Sequence, residues 1–87
     1  MKTVLITGGT RGIGLSTAIN FQQKGWEVYI TSRKQENLDL VIKEYPELKG
    51  FVARADDLAA ASETCMKIKD ETGSIDVLIN NAGTNPS

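Results

Sequence analysis

Short apolar runs alternate along the chain with longer segments of helical periodicity. Lys2 to Thr7 is a β-branched apolar run closed by Gly8-Gly9, and it predicts a buried strand. From about Gly12 to Lys24 the pattern turns helical. Ile13, Thr17, Ala18 and Phe21 share one face, and Gly25 stands where a helix stops. Glu27 to Ser32, Glu-Val-Tyr-Ile-Thr-Ser, predicts a second strand. A second helix from about Gln35 to Tyr45 carries Leu38, Val41, Ile42 and Tyr45 at i, i+3, i+4, i+7, and Pro46 ends it. Lys49 to Ala55 is a weaker third strand. A third helix, from about Leu58 to Thr72, has Leu58, Ala61, Cys65, Ile68 and Thr72 as its inner stripe and Gly73 as its stop. Ile75 to Asn80 is a fourth strand, apolar except for Asp76 and Asn80.

The order β-α-β-α-β-α-β places a helix between every two strands. Such connections imply parallel pairing through right-handed crossovers. The near-continuous apolar strands fit burial on both faces. The fold class expected is therefore α/β with a parallel sheet, and the chain is one domain at most. No internal repeat, linker or low-complexity stretch divides it, and the end, Thr84-Asn85-Pro86-Ser87, is turn-like.

Composition narrows the function classes. Hydrophobic residues make up 40% and charged residues 24%, as in a soluble globular protein, and the net charge of −1 supplies no field for nucleic acid or a membrane surface. No apolar run approaches the roughly 18 residues that span a bilayer, and the first strand is too short for a signal peptide. Cys65 is the single cysteine, so no internal disulfide forms and a reducing, cytoplasmic setting is expected. With no histidine present, a zinc site or a His-based triad is not expected.

The chemistry concentrates at Thr7-Gly8-Gly9-Thr10-Arg11-Gly12-Ile13-Gly14, between a predicted strand and a predicted helix. Gly8 allows a tight turn, Gly12 lets backbone approach a pyrophosphate, and Gly14 lets the helix pack close to the sheet. The helix start then presents free N–H groups and positive dipole charge to phosphates. The second strand ends in Thr31-Ser32-Arg33-Lys34, with no acid before Glu36. An acid there would hold the ribose 2′-hydroxyl of NAD, whereas arginine suits the 2′-phosphate of NADP. Arg33 can pair with that phosphate in a bidentate way, Ser32 and Lys34 can add donors, and Arg11 can approach it from the glycine turn. Without a ligand the same residues would be an ordinary turn and a solvated basic loop. The strand-turn-helix setting favours a bound ligand, and the two arginines with the missing acid favour NADP, with NAD the less favoured cofactor.

These residues resemble a family. Thr7 to Gly14 is similar to the TGxxxGIG signature of short-chain dehydrogenases/reductases, and Asn80-Asn81-Ala82-Gly83 to their NNAG signature. The resemblance covers essentially the whole chain but only the first part of a family member. It implies a Rossmann-like, partial doubly wound parallel sheet of strand order 3-2-1-4, with residues 1–87 the N-terminal portion of a dinucleotide-binding domain truncated after the fourth strand, and a phosphate turn made by Gly8, Gly9, Thr10, Arg11, Gly12, Ile13 and Gly14. It implies 2′-phosphate recognition by Arg33 with Ser32. An acid-hydrophobic pair, Asp57-Leu58 (or an acid at Asp56), would meet the adenine, although Asp57 also fits a plain helix N-cap. Asn81, Ala82 and Gly83 would pass beside the adenine-side ribose, while Asn80 steadies the sheet.

The resemblance also sets what to expect of catalysis. The family transfers hydride between a nicotinamide and a carbonyl or alcohol carbon, using a serine, a Tyr-x-x-x-Lys pair and a supporting asparagine beyond the NNAG segment. No residue here is assigned a catalytic role. Tyr29 and Tyr45 are expected to have no lysine at the required spacing and are read as core residues, and Cys65 as a packing residue. The chain alone is expected to be inactive and to self-associate through its apolar fourth strand, left at a sheet edge. The alternatives are a non-catalytic module for NADP or another adenine nucleotide, and a degenerate gene product. Later loops set the substrate in this family, so the substrate stays open.

Overall fold

A computed structural model describes residues 2–10, 12–53 and 58–81, with the side chains of Leu58 and Ala61 left out. The elements follow the expected order: β1 (Thr3–Thr7), α1 (Gly12–Gln23), β2 (Glu27–Ser32), α2 (Gln35–Glu44), β3 (Lys49–Val52), α3 (Leu58–Thr72) and β4 (Val77–Asn80). The four strands form one parallel sheet in the order β3-β2-β1-β4. It is a Rossmann-like sheet in which β1 lies between β2 and β4, so the β1–α1 turn sits near the middle of the carboxyl edge.

Two apolar layers hold the sheet, one on each face. Val4, Ile6, Val28 and Ile30 point to one side and pack with Ala18 of α1, with Leu38 and Val41 of α2, and with Leu48. Strand alternation sends Leu5 and Tyr29 to the other side, where Ile68 of α3 covers them, with Phe51, Cys65 and Ile75 around them. Among the described residues the first layer is the larger, and α3 rests on the other. The Tyr29 hydroxyl adds a polar tie to that helix by donating to Glu71 Oε2 at 2.7 Å.

Several details depart from the sequence pattern. Ile13 is 79% exposed, and the buried positions of α1 are Gly14 and Ala18, flanked by Leu15 and Phe21. The inner face is thus turned by one residue, because a glycine that packs closely carries no hydrophobic signature. In α3 the inner stripe also includes Thr64, whose hydroxyl donates to the Ala60 carbonyl at 2.9 Å and so tolerates burial. The third strand ends at Val52 rather than Ala55. The fourth starts at Val77 rather than Ile75, because Asp76 turns its own groups to the start of β1: Thr3 N–H donates to Asp76 Oδ2 at 2.8 Å and Asp76 N–H to the Thr3 carbonyl at 2.9 Å.

Burial on both faces holds for β1 and β2 but not for the outer strands, which mix half-buried and exposed positions. Their place at the sheet edges accounts for this. Tyr29 and Tyr45 are packing residues, as expected.

Candidate cofactor site

The glycine turn is held from β2. Gly8 N–H donates to Thr31 Oγ1 and Gly9 N–H to the Thr31 carbonyl, each at 3.2 Å. Gly8 and Gly12 have positive φ, 71° and 61°, which favour glycine. The turn then rests on Ile30, since a Cβ at Gly9 would stand 2.5 Å from Ile30 Cγ2. Gly8 and Gly9 therefore shape the turn, and their amides are already engaged within the protein.

The free end lies one step further along. At Gly12 an added Cβ would meet no described atom within 4 Å. Gly12 and Ile13 are exposed, and the first turn of α1 contains no acid. Among the described residues this is an open helix N-terminus, whose N–H groups and dipole suit an anion. Gly14 faces inward instead: its Cβ would lie 2.5 Å from the Gly8 carbonyl oxygen and 2.7 Å from Asn81 Nδ2. The close contact expected of Gly14 is thus with the turn itself.

The end of β4 closes the other flank. Thr7 Oγ1 lies 3.0 Å from Asn80 Oδ1, to which it donates, and accepts the Asn81 N–H at 3.0 Å. Asn81 Nδ2 donates to the Gly8 carbonyl at 3.3 Å. Asn80 thereby ties β4 to β1, and Asn81 ties β4 to the glycine turn. On the far side of the turn, Ser32 is buried at the end of β2 and its Oγ accepts the Lys34 N–H at 3.3 Å. Arg33 and Lys34 follow it with exposed side chains.

Of the residues singled out from the sequence, Gly8, Gly9, Thr10, Gly12, Ile13, Gly14, Ser32, Arg33, Lys34 and Asn81 gather along this one edge of the sheet. Arg11, Asp57, Ala82 and Gly83 lie outside the described residues, as does Asp56. Leu58 begins α3, with its side chain outside them. Thr31 was not singled out. Its signal is slight: a hydroxyl closing an otherwise apolar strand, directly before Ser32-Arg33.

One sequence match needs the structure to dismiss it. Tyr45 and Lys49 do have Tyr-x-x-x-Lys spacing, contrary to the expectation that neither tyrosine is followed by lysine at that spacing. Pro46 lies between them, Tyr45 caps the end of α2, and Lys49 opens β3. Tyr45 packs on the layer containing Val28 and Ile30. Lys49 Nζ pairs with Glu27 Oε1 at 2.8 Å and lies 5.5 Å from the Tyr29 ring centroid, on the opposite face. The two cannot act on one substrate. Burial, and then its hydrogen bond to Glu71, raise the Tyr29 pKa above the ordinary phenol value, so its hydroxyl stays protonated and donates to Glu71.

A family model described as short chain dehydrogenase matches residues 2–87. The uncharacterized oxidoreductase YvrD of Bacillus subtilis (strain 168) is 42% identical over 84 residues, which are 94% of this chain and 32% of that protein. The crystal structure of 2-keto-3-deoxy-D-gluconate dehydrogenase from Streptococcus agalactiae superposes with a TM-score of 0.87 at 36% identity, over 97% of this chain and 33% of the other. Actinorhodin polyketide ketoreductase, solved with NADPH, gives a TM-score of 0.86 at 28% identity, over 92% of this chain and 32% of the other. The chain spans about a third of the length of each.

Proposed function

The chain belongs to the short-chain dehydrogenase family, and from that premise we propose that it is the cofactor-holding part of an NADP(H)-dependent oxidoreductase acting on a carbonyl or alcohol substrate. The observation that carries this reading is the open start of α1 at Gly12 and Ile13, on the same sheet edge as Arg33 and Lys34, with no acid at the end of β2. The helix start takes the pyrophosphate. Arg33, assisted by Ser32 and Lys34, takes the 2′-phosphate, and Arg11 approaches it from the turn. Asp57-Leu58 and Asn81, Ala82 and Gly83 line the adenosine side.

When bound, the cofactor supplies the hydride. This chain's own residues bind and orient it, and none is assigned proton transfer. No helix among the described residues is long and apolar enough to cross a membrane. The reading places the protein in the cytoplasm, in keeping with its lone cysteine. It also has β4, whose Leu78 is 58% exposed, meet a second copy along the open edge when the chain is alone.

The test is a pair of fluorescence titrations with NADPH and NADH on the wild type and on Arg33→Asp. Wild type is expected to favour NADPH, and the variant to lose most of that preference through charge repulsion. An unchanged NADPH-to-NADH affinity ratio would remove Arg33 from the reading. Wild type that binds neither would remove the cofactor site.

A further inference from the structure

We propose that Thr31 is a positioning residue for the dinucleotide, acting through the glycine turn rather than on the ligand; the proposal rests on the cofactor reading above. Thr31 is 5% exposed and supplies both acceptors that hold the turn, its hydroxyl oxygen to Gly8 N–H and its carbonyl to Gly9 N–H, each at 3.2 Å. The carbonyl bond is available to any residue at this position. The hydroxyl bond is not, and a β-branched side chain in a buried strand keeps its Oγ1 in place. It fixes the first residue of the turn, at the positive φ from which the chain climbs to Gly12. Strand alternation points the Thr31 side chain to the face of Tyr29 and that of Ser32 to the face of Ile30. The hydroxyl therefore pins the turn without touching the pair of residues that follow it.

That separation makes the role measurable. Thr31→Val keeps shape, volume and the carbonyl acceptor but leaves Gly8 N–H without its partner. It is expected to weaken NADPH and NADH by the same factor, about 3- to 10-fold for one lost hydrogen bond. Adenosine 2′-monophosphate, which carries the 2′-phosphate but no pyrophosphate, is expected to bind wild type and variant alike. Thr31→Ser, which restores the hydroxyl, is expected to recover most of the affinity. A purely structural role would weaken all three probes together.

Isothermal titration of the three probes against wild type, T31V and T31S decides the matter. T31V binding NADPH as tightly as wild type overturns the proposal, and so does a parallel loss for adenosine 2′-monophosphate. Wild type binding neither dinucleotide removes the cofactor reading itself and this role with it. Amide exchange in the wild type tests the geometry without any variant. Gly8 and Gly9 are expected to exchange more slowly than Gly12, and equal rates would show that the Thr31 bonds do not hold the turn.

Discussion

Replacing Gly14 by alanine should weaken the fold even though it removes a glycine from a helix. The added Cβ would lie 2.5 Å from the Gly8 carbonyl oxygen and 2.7 Å from Asn81 Nδ2. The amide end of Asn81 can swing away. The carbonyl is backbone, and the turn that carries it is held by the bonds of Gly8 and Gly9 to Thr31. Alanine gains up to about 1 kcal/mol of helix propensity over glycine in a helix interior, and less in a first turn. Forcing a methyl group into a packed site costs about 1–3 kcal/mol. The clash wins by about 1–2 kcal/mol, a fall in Tm of roughly 5–15 °C for a domain of this size. Circular dichroism melts of Gly14→Ala, Asn81→Ala and the double variant would measure it. Because the carbonyl remains when Asn81 is trimmed, the double-mutant coupling should stay below about 0.5 kcal/mol. A Gly14→Ala protein melting at or above the wild-type temperature would refute the close contact. Full rescue by Asn81→Ala would show that the side chain, not the carbonyl, is the obstacle.

Tyr29→Phe should cost about 0.5–1.5 kcal/mol, since Glu71 is exposed and keeps its water when the hydroxyl is lost. The same residue gives a pH dependence. Burial first raises Tyr29 above the ordinary phenol value, and the hydrogen bond to Glu27 chiefly raises Lys49 above the ordinary lysine value, so both hold their protons longer when folded. Their contribution is whole below about pH 10 and is lost as pH climbs through the folded values. Wild-type Tm should therefore fall in that range and Tyr29→Phe should fall less; parallel curves would contradict the burial effect. Leu78→Lys should reduce self-association in sedimentation velocity, because a charge at an open strand edge opposes pairing, and an unchanged profile would place the contact elsewhere. Arg33 and Lys34 are solvated, so the NADPH preference should shrink between 0.1 M and 1 M salt as the Debye length falls from about 10 Å to about 3 Å. A preference independent of salt would mean that recognition there is not electrostatic.

Legibility followed contrast. α2 could be read because Leu38, Val41, Ile42 and Tyr45 stand out from charged neighbours, and each packs on the core. The face of α1 was misjudged because it is built from Gly14 and Ala18, and the larger Ile13 drew the stripe round by one residue. Thr31 and Thr64 were hidden by their polarity. Each is buried with a hydrogen bond made, one to a turn 23 residues away and one to its own helix. Asp76 looked like a flaw in an apolar strand and is instead a splice to β1. Glycine spacing located the turn, but spacing cannot say which amides remain open. That depends on what β2 and β4 present to it, which is a matter of sheet order and register.

The separation at the carboxyl edge bears on how cofactor choice can change. The glycine turn is fixed from within, by Thr31 below and by Asn81 from β4, using uncharged hydrogen bonds in a partly buried setting. The residues read as discriminating NADP from NAD stand outside it, exposed, where the strand has ended. Hydrogen bonds to buried amides tolerate little substitution, because an amide left unpaired keeps its full desolvation penalty. Exposed charges tolerate a great deal, because water takes over when they leave. Substitution at Arg33 can thus reverse the exposed charge that follows β2 while the glycine turn keeps its shape. Substitution at Thr31 disturbs the turn and leaves the charge alone.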